Sequence, residues 1–424
     1  MAAATVAEVD LDAVDVMDPH WFADGPPHEL FARMRAEAPV RWNETGAGGF
    51  WSLTRHDDVT AVSRDTETFS SHRAGIFLHP DQVAPLELNR NLLLFKDPPD
   101  HTKYRKILQT AFVPRTVREL EPLTRDRVNR VLDAVIEAGS CDFVDRIAVP
   151  LPLGVLATMM GLPDEDLPRL FTWTEQIEAA QRAPEPNAAL ETFGEMAAYL
   201  HEQIQSQAAG SEKTLVTELR AAEVDGQRLT DDEILVFFAL LVFAGNDTTR
   251  NTAATGTLAL LEHPDQWRRL CDDRELIGSA VEELLRYTSV VNWFARTATR
   301  DTELRGQRIA EGEKVVLWYA SASRDEQVYR DPQRLDIGRS DQAHNAFGGG
   351  GRHFCLGAGL ARQELAILFE QLTVRMPDLA LAGPVERLSS NWAHGLTAMP
   401  VAFTPSGPRG GVDSVISERA AGVE

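Results

Sequence analysis

Phe347-Gly348-Gly349-Gly350-Gly351-Arg352-His353-Phe354-Cys355-Leu356-Gly357-Ala358 is the stretch whose reading decides the fold. It places one cysteine behind a run of glycines and just ahead of a helical pattern that spans Gly357 to Met376. A helix N-terminus favours negative charge, so a thiolate is stabilised there. Glycines remove side chains from the approach, which lets the backbone lie against a large flat ligand and aim N–H groups at the sulfur. A phosphate-cradling loop would end in Gly-Lys-Ser/Thr, which is absent. A zinc site would need four ligands, more than His353 and Cys355 supply. A buried structural cysteine is the plainer alternative, and it accounts for neither the glycines nor His353.

Upstream, Thr230-Asp231-Asp232-Glu233 is a capping box. The helix it opens runs to His263-Pro264 and is apolar on every side through its centre. At 1.5 Å per residue it is on the order of 45 Å long, enough to cross the core. Midway stands Ala244-Gly245-Asn246-Asp247-Thr248-Thr249, a costly place for a carboxylate and two hydroxyls. Thr248 can bond back to the carbonyl of Ala244 beside Gly245. Two readings stay open: a gap for a small ligand with Asp247 and Thr248 as a proton path, or a water-bridged kink in a core helix.

Other pieces are mute in isolation. Glu283 and Arg286, at i and i+3, are most simply a solvated pair. His101 and Arg105 share one face of a helix over His101–Phe112, with Asp100 placed to cap it. Arg296 ends an apolar β-rich segment. Helical patterns over His28–Ala38, Arg115–Ala138, Leu153–Leu162, Leu167–Ala179, Ala188–Gln207 and Arg274–Tyr287 outnumber β-rich pieces at Val40–Asn43, Phe50–Thr54, Val290–Ala295 and Lys314–Tyr319. The turn at Thr45-Gly46-Ala47-Gly48-Gly49 makes a hairpin, and Ser70 to Phe95 reads as a long loop. A mainly α fold with small β-sheets is expected.

The 424 residues carry 42 Lys+Arg against 64 Asp+Glu, a net charge of −22 that repels nucleic acid and anionic lipid. Cys141, Cys271 and Cys355 are too few for a disulfide framework, which fits a reducing compartment. The start is acidic, without the basic residues of a secretory signal, and the longest apolar run, Ile234 to Gly245, is too short to span a bilayer. A cytoplasmic protein with no transmembrane anchor is expected.

Taken together, these residues resemble the cytochrome P450 superfamily from about His28 to Phe403. The resemblance implies the cytochrome P450 fold and a single large haem-binding domain over residues 28–403. Residues 1–27 would be an acidic N-terminal segment and 404–424 a C-terminal tail. It makes haem b the cofactor and Cys355 its iron ligand. His101, Arg105, Arg296 and His353 would partner the propionates, with Ala244, Gly245, Phe347, Gly348 and Gly357 against the ring. Asp247 and Thr248 would deliver protons to bound O2, and Glu283 with Arg286 would be a structural pair of the fold. One departure stands out: the commoner bacterial loop has one residue fewer between its Phe and its Cys, so Phe347 is expected to sit differently. That longer loop, with Val315-Val316-Leu317-Trp318-Tyr319-Ala320-Ser321 and Ser390-Asn391-Trp392-Ala393-His394-Gly395, is similar to actinobacterial enzymes that hydroxylate terminal methyls of methyl-branched lipids, isoprenoids and sterol side chains.

The implied activity is monooxygenation of a C–H bond in an apolar small molecule. Ile76, Phe77, Phe237, Leu241, Val291, Trp293, Phe294 and Trp392 are nominated as pocket wall, against the alternative that each is ordinary core. Electrons would come from a ferredoxin and its NAD(P)H-dependent reductase. The ferredoxin would dock near Cys355 on Lys103, Lys106, Arg115 and Arg352, which read equally as solvated cations. The chain is expected to act as a monomer. A peroxide-driven peroxygenase of the same fold and a non-catalytic haem or lipid carrier are the rival readings.

Overall fold

Alternation of apolar and polar positions in the two segments after α1 (His28–Glu37) produces a hairpin, β1 (Val40–Thr45) and β2 (Gly48–Leu53), paired from Val40↔Leu53 to Thr45↔Gly48. The computed structural model describes residues 9–45, 48–182, 185, 187–208, 214–341 and 343–409, so Gly46 and Ala47 of the expected turn lie outside the described residues. α2 (His56–Arg64), β3 (Phe69–Ser70), α3 (Leu86–Asn89), α4 (Asp100–Leu108), α5 (Pro114–Glu119), α6 (Glu121–Ile136) and β4 (Ser140–Asp142) follow. Then come α7 (Pro150–Met160), α8 (Leu167–Arg182), α9 (Leu190–Ala208), α10 (Leu215–Ala221) and the long α11 (Asp231–Glu262). α12 (Pro264–Asp272) and α13 (Ile277–Thr288) precede β5 (Trp293–Ala298), β6 (Thr302–Leu304), β7 (Gln307–Ile309) and β8 (Lys314–Trp318). After α14 (Tyr319–Ala322) the chain is irregular until α15 (Ala358–Arg375) and the short β9 (Ala380–Leu381), β10 (Glu386–Arg387), β11 (Leu396–Ala398) and β12 (Pro400–Ala402).

The main sheet has the order β1-β2-β8-β5-β3, with β2 and β8 parallel and the other pairs antiparallel. The helices form the bulk of a single domain, and α11 runs through it, packed against α7, α8, α9 and α13. Its capping box is present: Glu233 N–H donates to Thr230 Oγ1 at 3.2 Å, and Thr230 N–H donates to Glu233 Oε2 at 2.8 Å.

Several sequence expectations need correcting. Asp100 lies inside the first turn of α4 and does not cap it; the cap position is Pro99. The pattern over 115–138 is two helices, parted at Leu120. The long loop contains α3 and a single turn at Leu93–Phe95, and it is fastened to the sheet by Lys314, whose ammonium donates to the carbonyls of Ala74 and Phe77. The boundary at residue 28 does not mark the edge of the domain. Leu11, Val16 and Phe22 are buried in the main core, and the Phe22 ring stacks on Trp318 at 6.1 Å. Nor does residue 404 end it: Thr404 N–H donates to Asp378, Ser406 N–H to the carbonyl of Ile136 and Arg409 N–H to Asp133. The remainder of the tail, 410–424, lies outside the described residues. Among the described residues no helix is long and apolar enough to cross a membrane.

Candidate active site

Gly357 precedes α15, and Cys355 precedes Gly357. The Cys355 N–H donates to the carbonyl of Phe347 at 3.0 Å, closing the loop on itself. Cys355 keeps accessible surface although its thiol is surrounded by protein, which is the combination a residue facing an internal space shows. Burial raises its thiol pKa, while the N–H groups of Gly357 and Ala358 and the charges of Arg105 and Arg362 act the other way. That is the anion-favouring end of a helix, as expected.

Several of the glycines are required where the loop meets α2. Gly348, Gly350 and Gly351 have φ of +89°, +83° and +75°, where L side chains are strained. Side chains on Gly349 and Gly351 would strike Ser63 and Arg64 at the end of α2, with Ser63 Oγ at 2.5 Å and the Ser63 carbonyl at 2.8 Å. These glycines therefore seat the loop on α2. Only at Gly357 is the space beyond the missing side chain open. The Phe347 ring carries the Arg362 guanidinium at 4.5 Å and lies 6.2 Å from Phe354. Arg362 is held in turn by Glu282, with Nη2 donating to Oε2 at 2.9 Å.

Beside the loop, four basic side chains converge. The His101 and His353 rings lie 4.3 Å apart. His353 Nε2 is 3.3 Å from Ser71 Oγ, whereas both ring nitrogens of His101 are buried without a hydrogen-bond partner among the described residues. Burial, then the charges of Arg105 and Arg352, push His101 down to about 4. His353 is pushed well below the ordinary imidazole range by burial, Arg296, His101 and Arg105. Arg296 is buried, with Nη1 donating to the carbonyl of Ala295 at 2.8 Å. Among the described residues no carboxylate lies within ion-pair distance of Arg105 or Arg296. A buried guanidinium such as Arg296 without a counter-ion is costly, and a bound dianion would supply what it and the half-buried Arg105 lack while accepting from the neutral imidazoles. These residues fit the propionate edge of a haem, as the Cys355 sulfur fits its iron.

α11 crosses this region with Leu241, Ala244, Gly245 and Thr248 half-buried at i, i+3, i+4 and i+7, while Val242, Asn246, Asp247 and Thr249 between them are buried. Thr248 Oγ1 donates to the carbonyl of Ala244 at 2.8 Å, as expected. On the side its Cβ would occupy, Gly245 is met by α7, with Leu156 Cδ1 lying 2.8 Å from that position, while the residue itself stays half-buried. Asp247 does not share the face of Thr248. Its Oδ1 accepts from Arg250 Nε at 3.0 Å and Asn251 Nδ2 at 3.3 Å, and Arg250 is also bonded to Glu175 on α8.

The chain is 36% identical over 407 residues to a steroid C26-monooxygenase of Mycobacterium tuberculosis, covering 92% of each. The chain belongs to the cytochrome P450 family. A family model described as Cytochrome P450 matches residues 185–375. This P450 is also 37% identical over 414 residues to a methyl-branched lipid omega-hydroxylase of Mycobacterium tuberculosis, covering 94% of this chain and 95% of the other. Among solved structures, a Mycobacterium marinum cytochrome P450 in complex with pseudoionone superimposes with a TM-score of 0.84 at 36% identity, covering 93% of this chain and 99% of that one. The protein is therefore a haem-thiolate monooxygenase, haem b is its cofactor, and its electrons come from an external donor.

The other nominated residues of this P450 are spread over its core. Trp392 lies 6.1 Å from Phe77, 6.0 Å from Phe294 and 6.1 Å from Phe243, so three distant segments and α11 meet in one aromatic cluster. Val291 is bridged to Ala393 beside it, and the Ile76 carbonyl accepts from Ala295 N–H at 2.8 Å. Phe237 stands edge-on to Phe112 at 6.4 Å. Trp293 is not in the cluster. Alternation along β5 sets it opposite Phe294 and Arg296, where it packs on Trp318 at 6.3 Å. Away from the pocket, Glu283 and Arg286 are wholly buried, with bonds of 2.7 and 2.9 Å, so the expected solvated pair is a core network. Arg339, which the sequence reasoning missed, donates to Glu283 at 3.0 Å from irregular chain, where no periodicity marks it. Phe243, Arg362 and Ser71 were missed for the same reason: only the folded chain brings them to the site. Of the four cations expected to dock a partner, Lys106 pairs with Asp225 at 2.9 Å and Arg115 with Glu119 at 2.9 Å, while Arg352 donates to Thr102 at 3.2 Å.

Proposed function

We propose that this P450 hydroxylates a terminal methyl C–H bond of a methyl-branched lipid, isoprenoid or steroid, taking electrons from a ferredoxin and its NAD(P)H-dependent reductase. The observation that carries the catalytic part is the pairing of an accessible Cys355 just ahead of α15 with a buried, unpartnered His101 and the buried Arg296. The substrate class is supported by the names of two relatives and by the uncharged cluster of Phe77, Phe294 and Trp392.

When bound, the haem supplies O2 activation and C–H oxidation. The chain's own residues do the rest. Cys355 ligates the iron as a thiolate, and His101, Arg105, Arg296 and His353 hold the propionates. Ala244, Gly245, Phe347, Gly348 and Gly357 wall the site. Thr248 holds a proton at Oγ1 on the half-buried face of α11, and Asp247, held by Arg250 and Asn251, is the carboxylate of the proton path one residue before it. Lys103 and Arg352, both exposed, are the cations left to meet an acidic ferredoxin, and the enzyme acts as a monomer in the cytoplasm.

The reduced, carbon monoxide-bound spectrum of the holoenzyme is the first test. A red-shifted Soret band is expected, and its loss in Cys355→Ala; a shift that survives the substitution would sink the assignment. Branched lipids and steroids should be consumed faster with NAD(P)H, ferredoxin and reductase than with hydrogen peroxide. Equal rates would make the protein a peroxygenase.

A further inference from the structure

A cavity of about 290 Å³ lies between the end of the 70–95 loop, α4 and the first turns of α11. Its walls include Leu108 and Phe237, and Lys96, Tyr104 and Glu233 bring polar groups into it. Tyr104 donates its hydroxyl proton to Glu233 Oε1 at 2.5 Å, and Lys96 Nζ lies 4.9 Å above the Tyr104 ring. That ammonium donates to the carbonyl of Arg90 at 3.1 Å, which uses one of its three N–H groups.

Glu233, Phe237, Leu241, Ala244 and Thr248 follow one another at spacings of three and four along α11, so they share a face. The eleven steps from Glu233 to Ala244 span about 16 Å at 1.5 Å each. We propose that this cavity is the far end of the substrate site, where Lys96 donates a hydrogen bond to a neutral oxygen of the substrate, a ketone or hydroxyl, about three turns of α11 away from the Ala244 end where the substrate is oxidised. This deepens the proposed function and rests on it.

The charges decide between oxygen functions. Glu233 and Asp232 line the same cavity, and Asp100 also acts on Lys96, so a free carboxylate placed there meets more anions than cations. A ketone accepts from Lys96 without that repulsion, and a hydroxyl also donates to Glu233. A rigid oxygenated steroid fits the length and the charge, whereas a free fatty acid would bring its carboxylate to this anionic end.

Soret-shift titration of the holoenzyme tests this with three probes: a ring-A keto steroid with a branched alkyl side chain, the same hydrocarbon without the ketone, and the same body with a carboxylate in the ketone's place. Wild type should bind the ketone best and the carboxylate worst. Lys96→Met should weaken the ketone by about tenfold, the worth of one charge-assisted hydrogen bond, and leave the hydrocarbon unchanged. Lys96→Arg, which keeps a donor, should recover part of the loss, and an unchanged carbon monoxide spectrum checks that both variants fold. Equal binding of the ketone by wild type and Lys96→Met would overturn the subsite alone. No shift with any of the three probes would overturn the subsite and the steroid reading together.

Discussion

Cys355 was legible because its neighbours in sequence carry its chemistry: the glycines that set the loop and the helix whose N–H groups face the sulfur. Glu283 was legible as one of a pair, but not as the centre of a buried network with Arg286 and Arg339. Glu283→Gln would leave the buried Arg286 without a counter-ion and Arg339 with only Asp341 at 3.8 Å, at a cost of about 3–5 kcal/mol read from the denaturant midpoint. Glu364 on α15 gave no signal at all. It is buried, one carboxyl oxygen has no partner among the described residues, and burial pushes its pKa from 4.5 up to about 8. Between those values the folded chain holds a proton that the unfolded chain has released, so stability falls as pH rises, by about 1.4 kcal/mol per unit. Glu364→Gln should remove this slope from the pH dependence of the melting temperature; an unchanged slope would show that other groups cause it.

Among the elements, α11 is the one most fully foretold. Its capping box, its apolar centre and its end before Pro264 are all local, so a single window of sequence contains them. Its neighbours are not local. Gly245 allows Leu156 of α7 to approach to 2.8 Å of the missing Cβ, and nothing near Gly245 in sequence announces Leu156. Gly245→Ala is expected to cost about 1–3 kcal/mol by overpacking. Leu156→Ala in the same chain should return part of that loss, so the two substitutions together should cost less than their sum in thermal unfolding. Additive losses would mean that the helices do not meet there. β5 teaches the same lesson: its alternation is visible in sequence, but the assignment of Phe294 and Arg296 to the pocket side and Trp293 to Trp318 waits for the sheet.

At the scale of the whole molecule, the acidic start proved to be part of the core, with Val16 and Phe22 buried and Phe22 stacked on Trp318. Deleting residues 1–27 should lower the melting temperature of the holoenzyme by at least about 5 °C, since each such side chain is worth about 1.5–3 kcal/mol on burial. A truncated chain that melts with wild type would return the boundary to residue 28. The sequence by itself determined the family, the thiol and the long helix, because each rests on residues close together along the chain, where geometry follows from helical period and glycine conformation. Only the tertiary structure decided which cations gather without counter-ions, which way Asp247 turns, which aromatic rings meet and that a polar cavity opens beyond Phe237. Most of those depend on contacts between segments about a hundred or more residues apart, and even Asp247, bonded within its own helix, meets an Arg250 that reaches Glu175 on α8, so local patterning does not encode which distant side chain arrives.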